Sequence, residues 1–294
     1  MQLFLSQVLN GVGNGVIYAS VALALVLIFR TTGLLNFAQG EMALFATFTT
    51  WRLAEAGLPI GAAIAVSMAA SFVAGVVIER VLIRPVESSK NPLNVVIVTL
   101  GMFLALNSLA QLVFGTDPQQ MPSLFPKGRF TGGGLNVNKG TVGLAVVLVL
   151  ECVVLYLLLQ RTKIGLALRA VASNQDSSRL VGIRVGTMLM VGWGMSAALG
   201  ALAGSLVAAN KTGFDASLMQ GVLVYAFAAA AVGGFDSIFG AVVGGLVVGV
   251  AEALTVQYVD ALAGITILVP FALIALVLLV RPNGLFGRQT VERV

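Results

Sequence analysis

The sequence has no histidine, one cysteine and only 10% charged residues over its 294 positions. Without histidine, the commonest general base, the commonest metal ligand and the usual serine–histidine pair are all missing. The lone Cys152 sits beside Val153 and Val154 in an apolar run, so neither a disulfide framework nor a cysteine metal site can form. Nothing in this composition calls for a cofactor. No phosphate loop of the glycine-lysine-serine/threonine type occurs, so the chain does not hydrolyse ATP through that machinery. Energy for any work must come from another subunit or an ion gradient. Met1 to Gln7 carries no basic residue, and apolar character runs on to Phe29 without a cleavage site, so this stretch reads as a retained first span and not as a secretion signal.

What is present is apolar surface. Hydrophobic residues make up 58% of the chain, far more than a soluble fold can hide. Runs such as Val142 to Leu159 are apolar on every face, which excludes the alternation of barrel strands and leaves helices with lipid as their solvent. Runs long enough to cross a bilayer, about 20 residues as helix, lie near Leu3 to Phe29, Leu35 to Leu53, Pro59 to Glu79, Leu93 to Phe114, Thr141 to Leu159, Met188 to Ala209, Leu218 to Val232, Ile238 to Val256 and Leu262 to Val280. The expected fold is all-α, a polytopic transmembrane helix bundle of eight or nine spans in one domain over residues 1–294, with room for broken helices. Eight applies if one short segment is re-entrant.

Charge sets the orientation. With the N-terminus outside, Arg30, Arg80, Arg84, Lys90, Arg161, Lys163, Arg169, Arg179, Arg184, Arg281, Arg288 and Arg293 face the cytoplasm, against Arg52, Lys127, Arg129, Lys139 and Lys211 outside. That bias favours an outer N-terminus and a cytoplasmic C-terminus. It also accounts for the net charge of +5 without a nucleic-acid partner. The outer loop from Gly115 to Gly140 carries three prolines and Gly132-Gly133-Gly134, which suits irregular structure. The inner loop from Gln160 to Gly186 contains Leu166 to Leu180, expected to form a short amphipathic helix before Gly182. Small residues four apart, at Gly11 and Gly15, Gly200 and Gly204, Gly240 and Gly244, and Gly245 and Gly249, predict close packing of helices within the chain.

Few positions can carry chemistry. Asn36, Gln39 and Glu41 stand at the start of an apolar span, within Gly33 to Glu41. Asn36 and Gln39 resemble a capping pair, and a broken helix with exposed amides is one way transporters hold a solute. An ordinary capped helix start explains the same residues. Gly233 to Gly240 has the same skeleton, a glycine followed three residues on by Asn or Asp and four further by a second glycine, with Asp236 matching Asn36. It reads either as the remnant of an internal repeat or as coincident turn chemistry. Glu151 and Glu252 lie inside apolar runs and are expected to face the bundle interior, neutral or paired. Asn107 and Gln111, four apart, line a polar track or bond a neighbouring helix, the second being favoured.

Four blocks resemble the shorter permease subunit of branched-chain amino-acid importers driven by ATP, within the wider group of branched-chain amino-acid and urea permeases. They are Asn10-Gly11 with Gly15 and Tyr18 followed by Gly33 to Glu41; Arg169-Ala170 with Asn174 and Gly182-Ile183; Val232-Gly233-Gly234 with Ser237-Ile238, Gly240-Ala241 and Glu252; and Arg281 to Gly287. Gln39 departs from the resemblance, since many relatives would carry histidine there. The resemblance implies a non-enzymatic transport subunit in a bacterial-type inner membrane. Its implied partners are a second homologous permease, two cytoplasmic P-loop ATPases, an external solute-binding protein and the small-molecule solute. Read from the residues themselves, the positions expected nearest the solute path are Asn36, Gln39, Glu41, Asp236 and Ser237. The resemblance also implies ATPase-coupling residues at Arg169, Asn174, Asp176 and Arg179.

Two other classes stay open on the residues alone. A self-sufficient channel or secondary transporter would need an ion or proton relay, for which Glu151 and Glu252 are too few. An intramembrane enzyme would need an aspartate pair, and Asp236 and Asp260 both stand near span ends. A mostly apolar path with neutral polar groups suits a zwitterion such as leucine, isoleucine or valine. Urea, short amides and small carboxylates fit almost as well.

Overall fold

The computed structural model describes residues 2–87, 92–126, 128–132, 135–259 and 264–287. Lys90, Lys127, Asp260, Leu262, Arg288 and Arg293, on which parts of the orientation, dyad and last-span readings fall, lie outside the described residues.

The chain runs α1 (Gln2–Thr32), α2 (Gln39–Glu55), α3 (Ile60–Ile78), a π-helical turn (Glu79–Ile83), α4 (Arg84–Glu87), α5 (Pro92–Phe114), β1 (Arg129–Gly132), β2 (Leu135–Asn138), α6 (Lys139–Arg161), α7 (Lys163–Ser173), α8 (Gln175–Leu180), α9 (Val185–Ala209), α10 (Leu218–Gly233), α11 (Ile238–Tyr258) and α12 (Leu268–Val280). Every expected span contains a helix among the described residues. Among the described residues, six helical segments are long and apolar enough to cross a membrane: α1, the α3 to α4 segment, α5, α6, α9 and α11. The helices of the other three expected spans are shorter, with 17 residues in α2, 16 in α10 and 13 in α12. At 1.5 Å per residue, α12 reaches only about 20 Å, so among the described residues length alone carries six of the expected spans.

Two loop expectations change. The outer loop is not wholly irregular, because β1 and β2 pair antiparallel with Arg129 opposite Asn138. The inner loop forms two helices in place of one. Asn174 adopts an extended backbone and its side chain accepts from Ser177 N at 2.8 Å, which ends α7 and caps α8 in one step.

The chain divides into two compact units. One unit, residues 27–124 and 149–220, packs α9 against α2 and α3, with α5 on α2. Its core includes Ile28, Met42, Ile83, Met102 and Trp193. Inside it, polar side chains are satisfied between and within helices: Thr50 Oγ1 and Ser205 Oγ meet at 2.9 Å, and Ser67 Oγ donates to Ala46 O at 2.8 Å. On α5, Leu93, Ile97, Leu104 and Leu112 are exposed, Leu112 to 82%. That surface is at rest only in hydrocarbon.

The other unit, residues 1–26, 125–148 and 221–294, contains the crossing of α1 and α11. A methyl group at Gly249 would sit 2.3 Å from the Gly15 nitrogen, and one at Gly11 would sit 2.6 Å from Val250 Cα. Only glycine lets these backbones approach so closely. All four small-residue pairs meet helices or turns of this same chain, Gly200 and Gly204 against α2, and Gly240 and Gly244 against α10.

Candidate functional site

The break between α1 and α2 gathers three buried polar side chains, Asn36, Gln39 and Glu41. Gly33 closes α1 with φ of +74°, a left-handed conformation that costs an L-residue strain. The chain then runs extended through Leu34 and Leu35 to Asn36, whose Oδ1 accepts from Ala38 N at 3.0 Å. This is a local side-chain turn. The expected reciprocal cap does not form, since Gln39 turns away from the backbone and into the core. Its Nε2 donates to Ser196 O at 3.1 Å, while its Oε1 accepts from Ser196 Oγ at 2.9 Å and from Asn36 Nδ2 at 3.2 Å. Asn36 Nδ2 also lies 3.4 Å from Met42 Sδ.

Glu41, on the first turn of α2, is wholly buried. Its Oε2 accepts from Asn107 Nδ2 at 2.9 Å. Its Oε1 has no hydrogen-bond partner among the described residues. Asn107 is itself held, donating to Ala216 O at 2.9 Å and accepting from Gln111 Nε2 at 2.6 Å. The Asn107 and Gln111 pair therefore bonds a neighbouring helix, as favoured above. Asn36, Gln39 and Glu41 come together on one buried turn, joined by Asn107 and Ser196. Ser196 gives no signal in the sequence, where it is one small residue in a run of small residues.

Asp236 and Ser237 belong to the other unit. There Gly234 has φ of +102°, and Ser237 caps α11 by accepting from Gly240 N at 2.9 Å. The C-terminal turn seals this break, with Leu285 N donating to Val232 O at 2.8 Å and Phe286 N to Gly233 O at 3.0 Å. The third and fourth sequence blocks thus form one structure. In the same unit, Glu252 accepts from Tyr18 Oη at 2.6 Å and from Asn14 Nδ2 at 3.4 Å, and Tyr18 stacks on Tyr225 with centroids 4.7 Å apart. Glu252 is paired, as expected, and Tyr18 of the first block is its partner. Glu151 is buried.

The expected coupling residues lie on α7, α8 and the residue between them. Arg169 Nη1 donates to Gln160 Oε1 at 2.9 Å, and Arg179 pairs with Asp176 at 3.1 Å on an exposed surface. Just beyond, Leu180 is 89% exposed and Val181 75%. One contact ties α8 to the rest of its unit, and a second ties α4 to α9. Gln175 Nε2 donates to Glu87 Oε1 at 3.1 Å. Arg84 bonds both carboxylate oxygens of Glu79, at 3.2 and 2.9 Å, and donates to Gly186 O at 2.7 Å, at the start of α9. The Glu79 and Arg84 pair is absent from the sequence reading, where Arg84 counts only toward orientation. A carboxylate five residues before an arginine at a span end is the available signal.

A family model described as the permease component of a branched-chain amino acid transport system matches residues 7–278. The high-affinity branched-chain amino acid transport system permease protein LivH of Escherichia coli (strain K12) is 33% identical, with 99% of this chain and 98% of that protein covered. The corresponding protein BraD of Pseudomonas aeruginosa is 31% identical over the same shares. A probable branched-chain amino acid transport permease protein of Methanocaldococcus jannaschii is 28% identical, covering 93% of this chain and 91% of its own. No solved structure matches the chain.

Proposed function

Since the chain belongs to the branched-chain amino acid transport system permease family, we propose that it is the membrane-spanning permease subunit of an ATP-driven importer that carries leucine, isoleucine and valine into the cell. The observation that carries the proposal is the buried polar turn of Asn36, Gln39 and Glu41 inside a bundle whose buried side chains are mostly apolar. Polar groups at that depth are costly unless they serve a path or a partner. Asp236 and Ser237 are proposed as solute-path residues of the other unit. The subunit sits in the inner membrane with its N-terminus outside. It works with a second homologous permease, two cytoplasmic P-loop ATPases and an external binding protein.

ATP reaches the spans through α7 and α8. Their exposed Leu180 and Val181 offer an apolar knob, and Arg169, Asn174, Asp176 and Arg179 surround it with polar groups. Movement of this pair is passed on through Gln175 to Glu87 and through Arg84 to α9, a rigid-body route.

The test is purification of the tagged chain from its membrane in mild detergent, with ATP hydrolysis measured as binding protein and solutes are added. Co-purification of a second permease and two ATPases, with hydrolysis stimulated by leucine and not by urea, is the expected result. Arg169→Glu with Arg179→Glu should leave hydrolysis running but uncoupled from uptake. Arrival of the chain alone, moving solute without ATP, would replace this reading with a channel or secondary transporter.

A further inference from the structure

A cavity of about 150 Å³ opens between α2, α3, α5 and α9, all in one compact unit. Its walls include Met42 and Phe45 of α2, Ala70 and Ala74 of α3, Leu106 of α5 and Ala197 of α9. The cavity is mostly apolar and open on one side, with Thr49 and Ser71 also in its lining; an apolar space of this size accepts a group as large as benzene, which is ample for a branched four-carbon side chain. Apolar size alone would suit a lipid tail equally. What separates the two is the border of the cavity.

Three of its walls adjoin the buried polar turn. Met42 Sδ receives the Asn36 amide, Ala197 follows the Ser196 that holds Gln39, and Leu106 precedes the Asn107 that holds Glu41. Within that turn Glu41 Oε1 is fully buried and lacks a donor among the described residues. A buried carboxylate oxygen without a donor is costly, so a positively charged donor from a solute would be strongly favoured there. An aliphatic amino acid carries both chemistries on one carbon, an ammonium group and a branched apolar chain. A lipid tail would use the cavity and leave Glu41 unanswered.

We propose that this cavity receives the branched aliphatic side chain of the transported amino acid while Glu41 Oε1 takes its ammonium group, and that Ala70 and Ala74 set the size limit. The inference rests on the amino-acid import reading above. Ala70 and Ala74 lie on the open rim of the cavity and are solvent-accessible in the isolated chain, so a larger side chain at either position narrows the cavity without entering the packed core.

The whole importer, reconstituted in proteoliposomes with its binding protein and ATPases, would be assayed for leucine and valine uptake. One methylene in an apolar pocket is worth roughly 10-fold or more in selection. Ala70→Leu and Ala74→Leu should therefore lower the ratio of leucine to valine uptake about 10-fold, whereas Phe45→Ala should raise it. The ratio does not depend on how much protein folds. Equal losses for both solutes, or an unchanged ratio in all three variants, would overturn the inference and leave the cavity to an acyl chain. A wild-type importer that moves neither solute would instead remove the import reading itself.

Discussion

The chain breaks its helices twice with the same local device and fills the two breaks differently. Between α1 and α2, a left-handed Gly33 is followed three residues later by Asn36, whose side chain turns the backbone. Between α10 and α11, a left-handed Gly234 is followed three residues later by Ser237, which caps the next helix. The first break is packed with the side chains of Gln39 and Glu41 and leaves one carboxylate oxygen without a donor among the described residues. The second is closed by main-chain bonds from Leu285 and Phe286. The break sealed by backbone leaves Asp236 and Ser237 a smaller share of the solute path, and the break filled with polar side chains is where a solute chiefly exchanges for them.

The largest effect that sharpens this contrast is at Glu41. Glu41→Gln preserves shape and the bond from Asn107 but removes the negative charge. A hydrogen bond to a charged group contributes about 1.5–3 kcal/mol, so uptake should fall on the order of 100-fold at 1.4 kcal/mol per 10-fold. Asp236→Asn, in the backbone-sealed break, should cost less than 10-fold. Initial uptake rates in proteoliposomes decide it, and equal losses at the two positions would erase the functional distinction between the breaks.

The next effect reverses the ranking, because it concerns stability. Around Gly33 nothing lies within 4 Å of where an added methyl group would stand, so Gly33→Ala meets only the left-handed strain, about 1–2 kcal/mol. At Gly234 the same methyl would lie 2.7 Å from Gly287 N and 3.0 Å from Asn283 O. Overpacking adds a further 1–3 kcal/mol or so. Thermal melts of detergent-purified protein should place Gly234→Ala clearly below Gly33→Ala. The opposite order would mean that the C-terminal turn is not what closes the second break.

The helices are legible in the sequence because lipid writes a strong signal: an apolar run excludes every spanning structure except a helix. Three things stay unread there. Hydropathy does not say whether 13 or 16 apolar residues cross or stop partway, which is why α10 and α12 fall short of a full span. Matching glycines by position sets Gly33 beside Gly233 and Asn36 beside Asp236, whereas the left-handed glycine and the capping residue are Gly234 and Ser237, one residue later. Two adjacent glycines hide which of them takes the positive φ. The candidate site is half visible. Asn36, Gln39 and Glu41 stand out as polar residues in an apolar setting, but their spacing points Gln39 to a helix cap. Its true partner, Ser196, lies 157 residues away, and contact at that separation leaves no trace in one sequence.

The smallest expected effect tests how far the polar break depends on its surroundings. Asn107, which holds Glu41, also donates to Ala216 O. That carbonyl sits in a turn fixed by Asp215, whose Oδ1 accepts from Ser217 Oγ at 2.6 Å and from Ser217 N at 2.8 Å. These bonds hold the Asp215 carboxyl below its usual range, despite a slight opposing effect of burial. A carboxylate with a lowered folded pKa contributes stability above the unfolded value, near 4, and loses it as pH falls through the still lower folded value. Because the group is mostly exposed, the effect is small. Asp215→Ala should reduce uptake less than 2-fold at neutral pH. The ratio of wild type to variant should stay constant down to about pH 5 and approach one only in stronger acid, as protonation removes from the wild type what the substitution removes from the variant. A ratio that changes near neutral pH would show that another titrating group supports the Asn107 contact, and the polar break would then extend beyond the residues that now define it.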